Sequence, residues 1–264
     1  MPDPTALPQS GALALLTATL LVCHGCASIS PPGPMLPHDG PAPLPKGSTE
    51  VGLMLNAAGG IFLDGGVGVV LRVVHQLTPT TAAGGDFGVG FHSSPKHARE
   101  LGRMRRMWMV RAHGQHNPGG LENLALVGGS GLTWTSRDLL ALTLDTSVLT
   151  GNDFSLSEES NPPLLITPLA ALTTAVSIPL AQGQPFQNYE KVFTPQQGKK
   201  VTQPLPTTTW YIGGTVGIGV EGTKGLAPGG TLTASWFWAD AEFGEAILMN
   251  VALTPRLRLH TDGP

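Results

Sequence analysis

From Thr49 onward, apolar residues recur at every second position, and this alternation constrains the fold more than any other feature of the chain. In a β-strand successive side chains point to opposite faces, so a period of two predicts strands with one apolar and one polar face. Residues 245–259 show the pattern best, with an apolar face formed by Ile247, Met249, Val251, Leu253, Leu257 and Leu259. Leu248 is the exception, because it lies on the opposite, polar face.

The same alternation continues through the rest of this region and predicts about ten strands, within a range of about eight to twelve. The other strands are predicted at 49–57, 61–77, 83–91, 103–113, 122–134, 138–148, 164–180, 210–222 and 230–243. Turn residues such as Asn117-Pro118-Gly119-Gly120 separate the runs. The chain contains 35 Gly and 24 Pro, which are unfavourable inside helices. The predicted fold class is therefore all-β.

Composition narrows the environment in which such strands would fold. Charged residues make up 12% of the chain, against about 25% in an average soluble domain. The formal net charge of -3 gives no basic field, so we expect no nucleic-acid partner. Several of the predicted strands reach the length of about 9–11 residues that crosses a bilayer at a tilt. These features favour membrane-spanning strands over a soluble domain.

Amphipathic strands in a membrane must close into a barrel, because unpaired backbone groups at a sheet edge cost several kcal/mol each in lipid. The apolar face would then point outward and the polar face inward. Asn250 is expected on the inner face. We predict a polar network in the lumen formed by Asp64, Arg72, Arg111, Asp145, Glu221, Arg256 and Arg258.

The pattern over residues 49–259 resembles that of small bacterial outer-membrane β-barrels. The resemblance implies an antiparallel up-and-down transmembrane barrel that contacts outer-membrane lipids. In such barrels aromatic residues form girdles at the membrane interfaces. The best candidates for a girdle here are Trp134, Trp210, Trp236 and Trp238. Their alternative interpretation is core packing in a soluble barrel or sandwich.

The N-terminal region carries the features of an export signal. Residues 12–22 are uniformly small or apolar, but too short to span a bilayer as a helix. The following segment, Leu21-Val22-Cys23-His24-Gly25-Cys26-Ala27-Ser28, resembles a bacterial lipoprotein signal, which implies lipidation at Cys26. We therefore predict a signal peptide at 1–26, a Pro-rich linker at 27–48 and a β-barrel at 49–264. The predicted location is the bacterial outer membrane.

Motifs that would point to a cofactor or a metal do not fit their sequence context. Residues 217–222 read G-x-G-x-x-G, but they lie within a strand instead of opening a helix, so no dinucleotide site is predicted. Cys23-x-x-Cys26 ends an apolar run and is not expected to be a redox pair. Residues 92–116 are rich in His and Arg, and we interpret them as a solvated loop that enters a strand whose Arg residues face the lumen. The alternatives are a basic patch facing lipid or a partner and, less favoured, a metal site. No cofactor is predicted.

Three functional hypotheses follow from this sequence. The first is an outer-membrane barrel with a structural, surface-interaction or narrow-channel role, which would meet partners through the polar connection at 181–206. The second is a lipid-modifying enzyme, for which His92, Ser93, Ser94 and His113 supply suitable residue types without a known signature. The third is a soluble periplasmic lipoprotein resembling a lipocalin, whose apolar face would point inward to bind an apolar ligand. We name no catalytic residue.

Overall fold

The structure is a computed structural model that describes most of the predicted barrel. The described residues are 40–60, 66–92, 105–135, 139–155, 164–182, 207–222, 227–241 and 244–259. The predicted signal peptide with Cys26, the residue Asp64 and positions 183–206 lie outside them. No helix in the described ranges is long and apolar enough to cross a membrane.

Ten long strands and one short strand form the described fold. They are β1 Thr49–Gly60, β2 Gly66–Thr78, β3 Thr81–His92, β4 Arg105–His116, β5 Leu124–Thr135, β6 Leu139–Gly151, β7 Phe154–Ser155, β8 Leu164–Gln182, β9 Thr209–Gly222, β10 Ala227–Ala241 and β11 Gly244–Leu259. Each long strand coincides with a run of alternating residues. After β4 the chain turns through Pro118–Gly120, where Gly119 and Gly120 adopt φ of 63° and 74°, a region that favours glycine.

The strands close into a ring. Consecutive long strands pair antiparallel, and β6 pairs with β8 because the short β7 continues the line of β6 beside β8. The first and last strands also pair, with Thr49 opposite Leu259. The described long strands therefore leave no free sheet edge. The prediction of a closed antiparallel barrel of about ten strands is confirmed.

The outer face of this ring is apolar on every long strand. Many large apolar side chains on this face are well exposed, such as Val67 at 58% and Trp210 at 64%, while a few, such as Trp108, are half-buried. The alternate positions face the lumen, where many Thr and Ser side chains are buried. Large apolar residues thus point outward, as a membrane barrel requires and as a lipocalin-like carrier would not.

The apolar belt has the height expected for a membrane barrel. On β4 the outward-facing residues between the exposed Arg106 and His116 are apolar or glycine. The ten residue steps between them span about 33 Å along the strand, which is about 25 Å along the barrel axis at a tilt of about 40°. The apolar band of outer-membrane barrels is also about 25 Å tall.

The two ends of the barrel differ. At one end, which we call the mouth, β1 begins and β11 ends, and β2 turns into β3 through only Pro79 and Thr80. At the opposite end, which we call the tryptophan end, β8 and β9 are separated by positions 183–208. All five Trp of the chain are placed toward this end: Trp108, Trp134, Trp210, Trp236 and Trp238.

Apolar clusters also fill part of the lumen. One consists of Ala175, Tyr211, Phe237 and Ala239, and Leu248 packs against it. This contact explains why Leu248 breaks the alternation of its strand. Two further clusters are Met54, Val70, Met109 and Ala252, and Ala125, Leu149, Leu169 and Ala171. The inner face is therefore a packed core in places, and not only the polar surface that the alternation predicted.

Residues 40–48, the end of the predicted linker, fold over the mouth, and we call them the strap. Pro41 is fully buried there, and its carbonyl oxygen accepts a hydrogen bond of 2.7 Å from Nδ2 of Asn117. Nearer to β1, the backbone N–H of Leu44 donates to Oε1 of Gln76 at 3.1 Å. The strap thus connects the rim at β2 with the rim beyond β4.

Candidate functional site in the barrel lumen

A group of charged side chains lies on the inner wall of β2 to β6, halfway along the barrel, and we call it the central network. Arg72 Nε lies 2.8 Å from Asp86 Oδ1, and Arg111 Nη1 lies 3.1 Å from Asp86 Oδ2. Arg111 also binds Asp145 with two hydrogen bonds, Nε to Oδ1 at 2.9 Å and Nη2 to Oδ2 at 2.5 Å. These side chains are at most 5% exposed, so the network is enclosed by protein.

Strand register and a glycine bring these charges together. Asp86 on β3 stands directly opposite Arg72 on β2 and Arg111 on β4. Asp145 is two strands away from Arg111, so the guanidinium must cross β5 to reach it. It crosses at Gly129, where a Cβ would lie only 2.6 Å from Arg111 Nε. The glycine-rich run of β5 therefore has a steric reason, because a larger residue at this inward position would displace the arginine.

His113 is the fifth ionisable residue beside this network. Its Nδ1 lies 3.2 Å from Asp86 Oδ2, within ion-pair distance but without the angle of a hydrogen bond. The enzyme hypothesis named His113 together with His92. His92 pairs with Arg105, eight residues before His113 on β4, so the two backbone positions are about 26 Å apart along the strand. The structure does not bring these two histidines into one site.

A second group of charges lies near the mouth, and we call it the mouth network. Arg256 on β11 contacts Glu50 on β1 at 3.5 Å and Glu221 on β9 at 3.4 Å. Arg258 contacts Glu50 at 3.3 Å and also forms an ion pair with Glu221. The side chains of the mouth network are between 6% and 19% exposed, more than those of the central network.

Here too an arginine crosses a strand at a glycine. Arg256 is separated from Glu221 by β10, and the residue between them is Gly229. A Cβ at Gly229 would lie 3.2 Å from Arg256 Nε, so a larger side chain would crowd the guanidinium. In both networks, an inward glycine therefore leaves the space in which an arginine reaches past one strand to its carboxylate partner.

Each network balances its charges. The central network contains Arg72 and Arg111 with two aspartates, and the mouth network contains two arginines with Glu50 and Glu221. A buried charge is costly unless it is paired, and planar guanidinium groups pair with carboxylates through two parallel contacts. Neither network offers an excess charge to a permeating ion. Their chemistry suits the joining of neighbouring and next-but-one strands along the inner wall.

The predicted site residues divide between the two networks. Arg72, Arg111 and Asp145 lie in the central network, while Glu221, Arg256 and Arg258 lie in the mouth network. Asp64 lies outside the described residues. Sequence reasoning missed two partners, Asp86 and Glu50, although both occupy the polar face of their strands. Their position on the polar face could have placed both residues in the lumen. Only the strand register shows which arginines each of them contacts.

The glycine motif at 217–222 belongs to the wall opposite the central network. A Cβ at Gly217 would lie 2.6 Å from Thr233 Cγ2, and one at Gly219 would lie 3.4 Å from Thr231 Cγ2. These inward glycines make room for threonines of β10, in a strand that pairs with β8 and β10. Among the described residues, no three His, Cys, Asp or Glu side chains are grouped to hold a metal ion.

Comparison with known proteins gives structural similarities only. No family model and no curated protein matches the sequence. The β domain of the Bordetella autotransporter Brka shares 10% identity over 81% of this chain and 99% of that chain, with a TM-score of 0.39. LpxR from Salmonella typhimurium shares 13% identity over 72% of each chain, with a TM-score of 0.36. Ail, the attachment invasion locus protein of Yersinia pestis, shares 8% identity over 81% of this chain and 100% of that chain, with a TM-score of 0.25. The barrel is established by the strand pairing of this chain itself.

Proposed function

We propose that the protein is a β-barrel of the bacterial outer membrane with a closed lumen, and that it acts as a structural or surface-interaction module. The observation that carries this proposal is the belt of large apolar side chains on all ten long strands. Exposed apolar patches on soluble monomers are rarely larger than a few hundred Å², whereas lipid requires an apolar surface around the whole circumference.

The contents of the lumen support a closed barrel more than a channel. Two neutral charge networks, three apolar clusters and the strap at 40–48 occupy the interior and the mouth. The interior of a ring of about eight strands is just filled by side chains, and ten strands enlarge it only modestly. The near-zero exposure of the side chains of Asp86 and Arg111 indicates that no wide water-filled path passes them.

The difference between the barrel ends indicates which end faces the periplasm. Outer-membrane barrels have short periplasmic turns and longer extracellular connections. The longest connection, positions 183–208 between β8 and β9, is at the tryptophan end, whereas no connection between long strands at the mouth is longer than 152–163. We place the mouth in the periplasm, on the side of the strap and a lipidated Cys26. The 181–206 connection is then the surface on which a partner would bind.

The test is to purify the chain and compare its behaviour with and without detergent. We expect it to be insoluble in buffer, to fold in detergent, and to migrate faster on SDS gels before heating than after. In planar bilayers we expect no stepwise conductance, with an open porin as the positive control. A soluble β-rich monomer in buffer would refute the membrane placement. A stable conductance would refute the closed lumen.

A further inference from the structure

We infer that the tryptophan end carries a binding site for a phosphorylated lipid of the outer leaflet, formed by Arg106 and the aromatic residues Phe87, Trp108 and Trp134. The inference depends on the proposed membrane placement, which puts this end at the outer surface. It goes further by assigning a headgroup chemistry to one sector of the barrel circumference.

The aromatic part of the site is a continuous platform across three strands. Trp108 on β4 stands opposite Trp134 on β5, and the two rings stack with centroids 6.5 Å apart and planes 12° apart. Phe87 on β3 extends the platform, with its ring centroid 6.1 Å from that of Trp108. Indole and phenyl rings at this level pack against the upper part of acyl chains while the indole N–H remains near polar headgroups.

The cation of the site lies directly beyond this platform. Arg106 precedes Trp108 by two residues, so both side chains are on the outward face of β4 and Arg106 is nearer to the barrel end. Arg106 is exposed, and it makes no ion pair with any residue in the described ranges. A guanidinium binds phosphate through two parallel hydrogen bonds, which makes it the preferred side chain for this headgroup.

The other tryptophan sector provides an internal contrast. Trp210, Trp236 and Trp238 lie on β9 and β10 at the same end of the barrel. Among the residues whose exposure the structure describes, the charge beside them is Asp240, which stands opposite Trp210. A carboxylate repels phosphate, so this sector offers aromatic packing without headgroup attraction. Charge complementarity therefore selects the Arg106 sector for an anionic lipid.

The occupant is a phosphorylated glycolipid of the outer leaflet, for which lipid A is the probe. Its acyl chains would lie along the apolar belt below the platform, where Val110 and Leu132 are exposed. Its phosphate would meet Arg106 at the level where the belt ends. Phospholipids of the inner leaflet face the mouth end and do not reach this residue.

The experiment measures lipid A retained by the full chain after purification in detergent supplemented with lipid A, using native mass spectrometry. Arg106→Gln is the test variant and Asp240→Asn is the matched control at the same end of the barrel. We expect Arg106→Gln to lower the retained lipid A by about five-fold, because one juxtamembrane cation contributes about that much to binding of an anionic lipid. Asp240→Asn should retain at least as much as the original chain.

Equal retention by the original chain and Arg106→Gln would overturn the site. So would an equal loss with Asp240→Asn, since the effect would then not be specific to this sector. Arg106→Lys should keep a larger part of the binding than Arg106→Gln, because it preserves the charge. The heat-dependent shift on SDS gels, measured on the same samples, tests the membrane barrel separately from the lipid site.

Discussion

The two charge networks contain the same numbers of arginines and carboxylates, but they lie in different surroundings. The side chains of the central network are at most 5% exposed, with contacts of 2.5–3.1 Å, and those of the mouth network reach 19% exposure. Removing one partner of a buried pair leaves an uncompensated charge, whereas solvent compensates a pair near the surface. Burial, and not the number of ion pairs, should therefore decide how much each network stabilises the barrel.

The largest effect is expected for Arg111→Met, which leaves Asp145 without its cation and Asp86 with only one arginine. We expect the free energy of unfolding to fall by about 3–5 kcal/mol, because a buried carboxylate loses its partner. Urea unfolding in phospholipid vesicles, followed by tryptophan fluorescence, measures this change. The double variant Arg111→Met/Asp145→Asn should recover part of the loss. A change below about 1 kcal/mol would contradict the importance of burial.

The next largest loss of stability is expected at Gly129, where Arg111 passes β5 to reach Asp145. Gly129→Ala places a methyl group 2.6 Å from Arg111 Nε and should destabilise the barrel by about 1–3 kcal/mol. Gly128→Ala is the matched control, because Gly128 faces outward and the nearest atom to its Cβ is 4.0 Å away. We expect the control to be neutral or slightly stabilising. Equal unfolding midpoints for the two variants would disprove the steric role of Gly129.

A smaller loss of stability is expected at the strap, which lies at the same end of the barrel as the mouth network. Asn117→Ala removes the Nδ2 donor to the carbonyl oxygens of Pro41, Leu121 and Leu124. The loss should be about 1–2 kcal/mol, because the carbonyl oxygens of Leu121 and Leu124 lose this donor and that of Pro41 keeps the longer hydrogen bond of 3.2 Å from Gln115 Nε2. Hydrogen exchange of residues 40–48 should become faster. Asn123→Ala, at an exposed position, is the control, and unchanged exchange in Asn117→Ala would argue against a fixed strap.

The smallest loss of stability is expected for Arg258→Gln in the mouth network. The Arg258 side chain is 14% exposed. We expect a loss of about 1 kcal/mol or less, as for other partly exposed pairs. The loss should shrink between about 0.01 M and about 1 M NaCl, as the Debye length falls from about 30 Å to about 3 Å. The loss caused by Arg111→Met should hardly change with salt. An equal salt dependence for both variants would contradict the claim that the two networks differ in their exposure to solvent.

The sequence predicted the strands well because alternation is a local property of the backbone. The face of each residue follows from its parity, and Arg72, Arg111 and Glu221 lie on the face opposite the large apolar residues of their strands. Leu248 and Phe237 depart from the pattern of their strands, since both are large apolar residues on the inner face. Their reason became visible only when Tyr211 and Ala175 were found packed against them.

The sequence by itself determined that the chain forms amphipathic strands, which side of each strand is apolar, and that the few charges lie mostly on the opposite side. Only the tertiary structure decided which charges meet. Arg111 and Asp145 are 34 residues apart, and Arg258 and Glu50 are 208 residues apart, so no local spacing relates them. Their contacts depend on strand register, on closure between β1 and β11, and on inward glycines that let an arginine cross a strand. These are properties of the closed ring, because a shift of register by a single residue would turn every side chain of a strand to its other face.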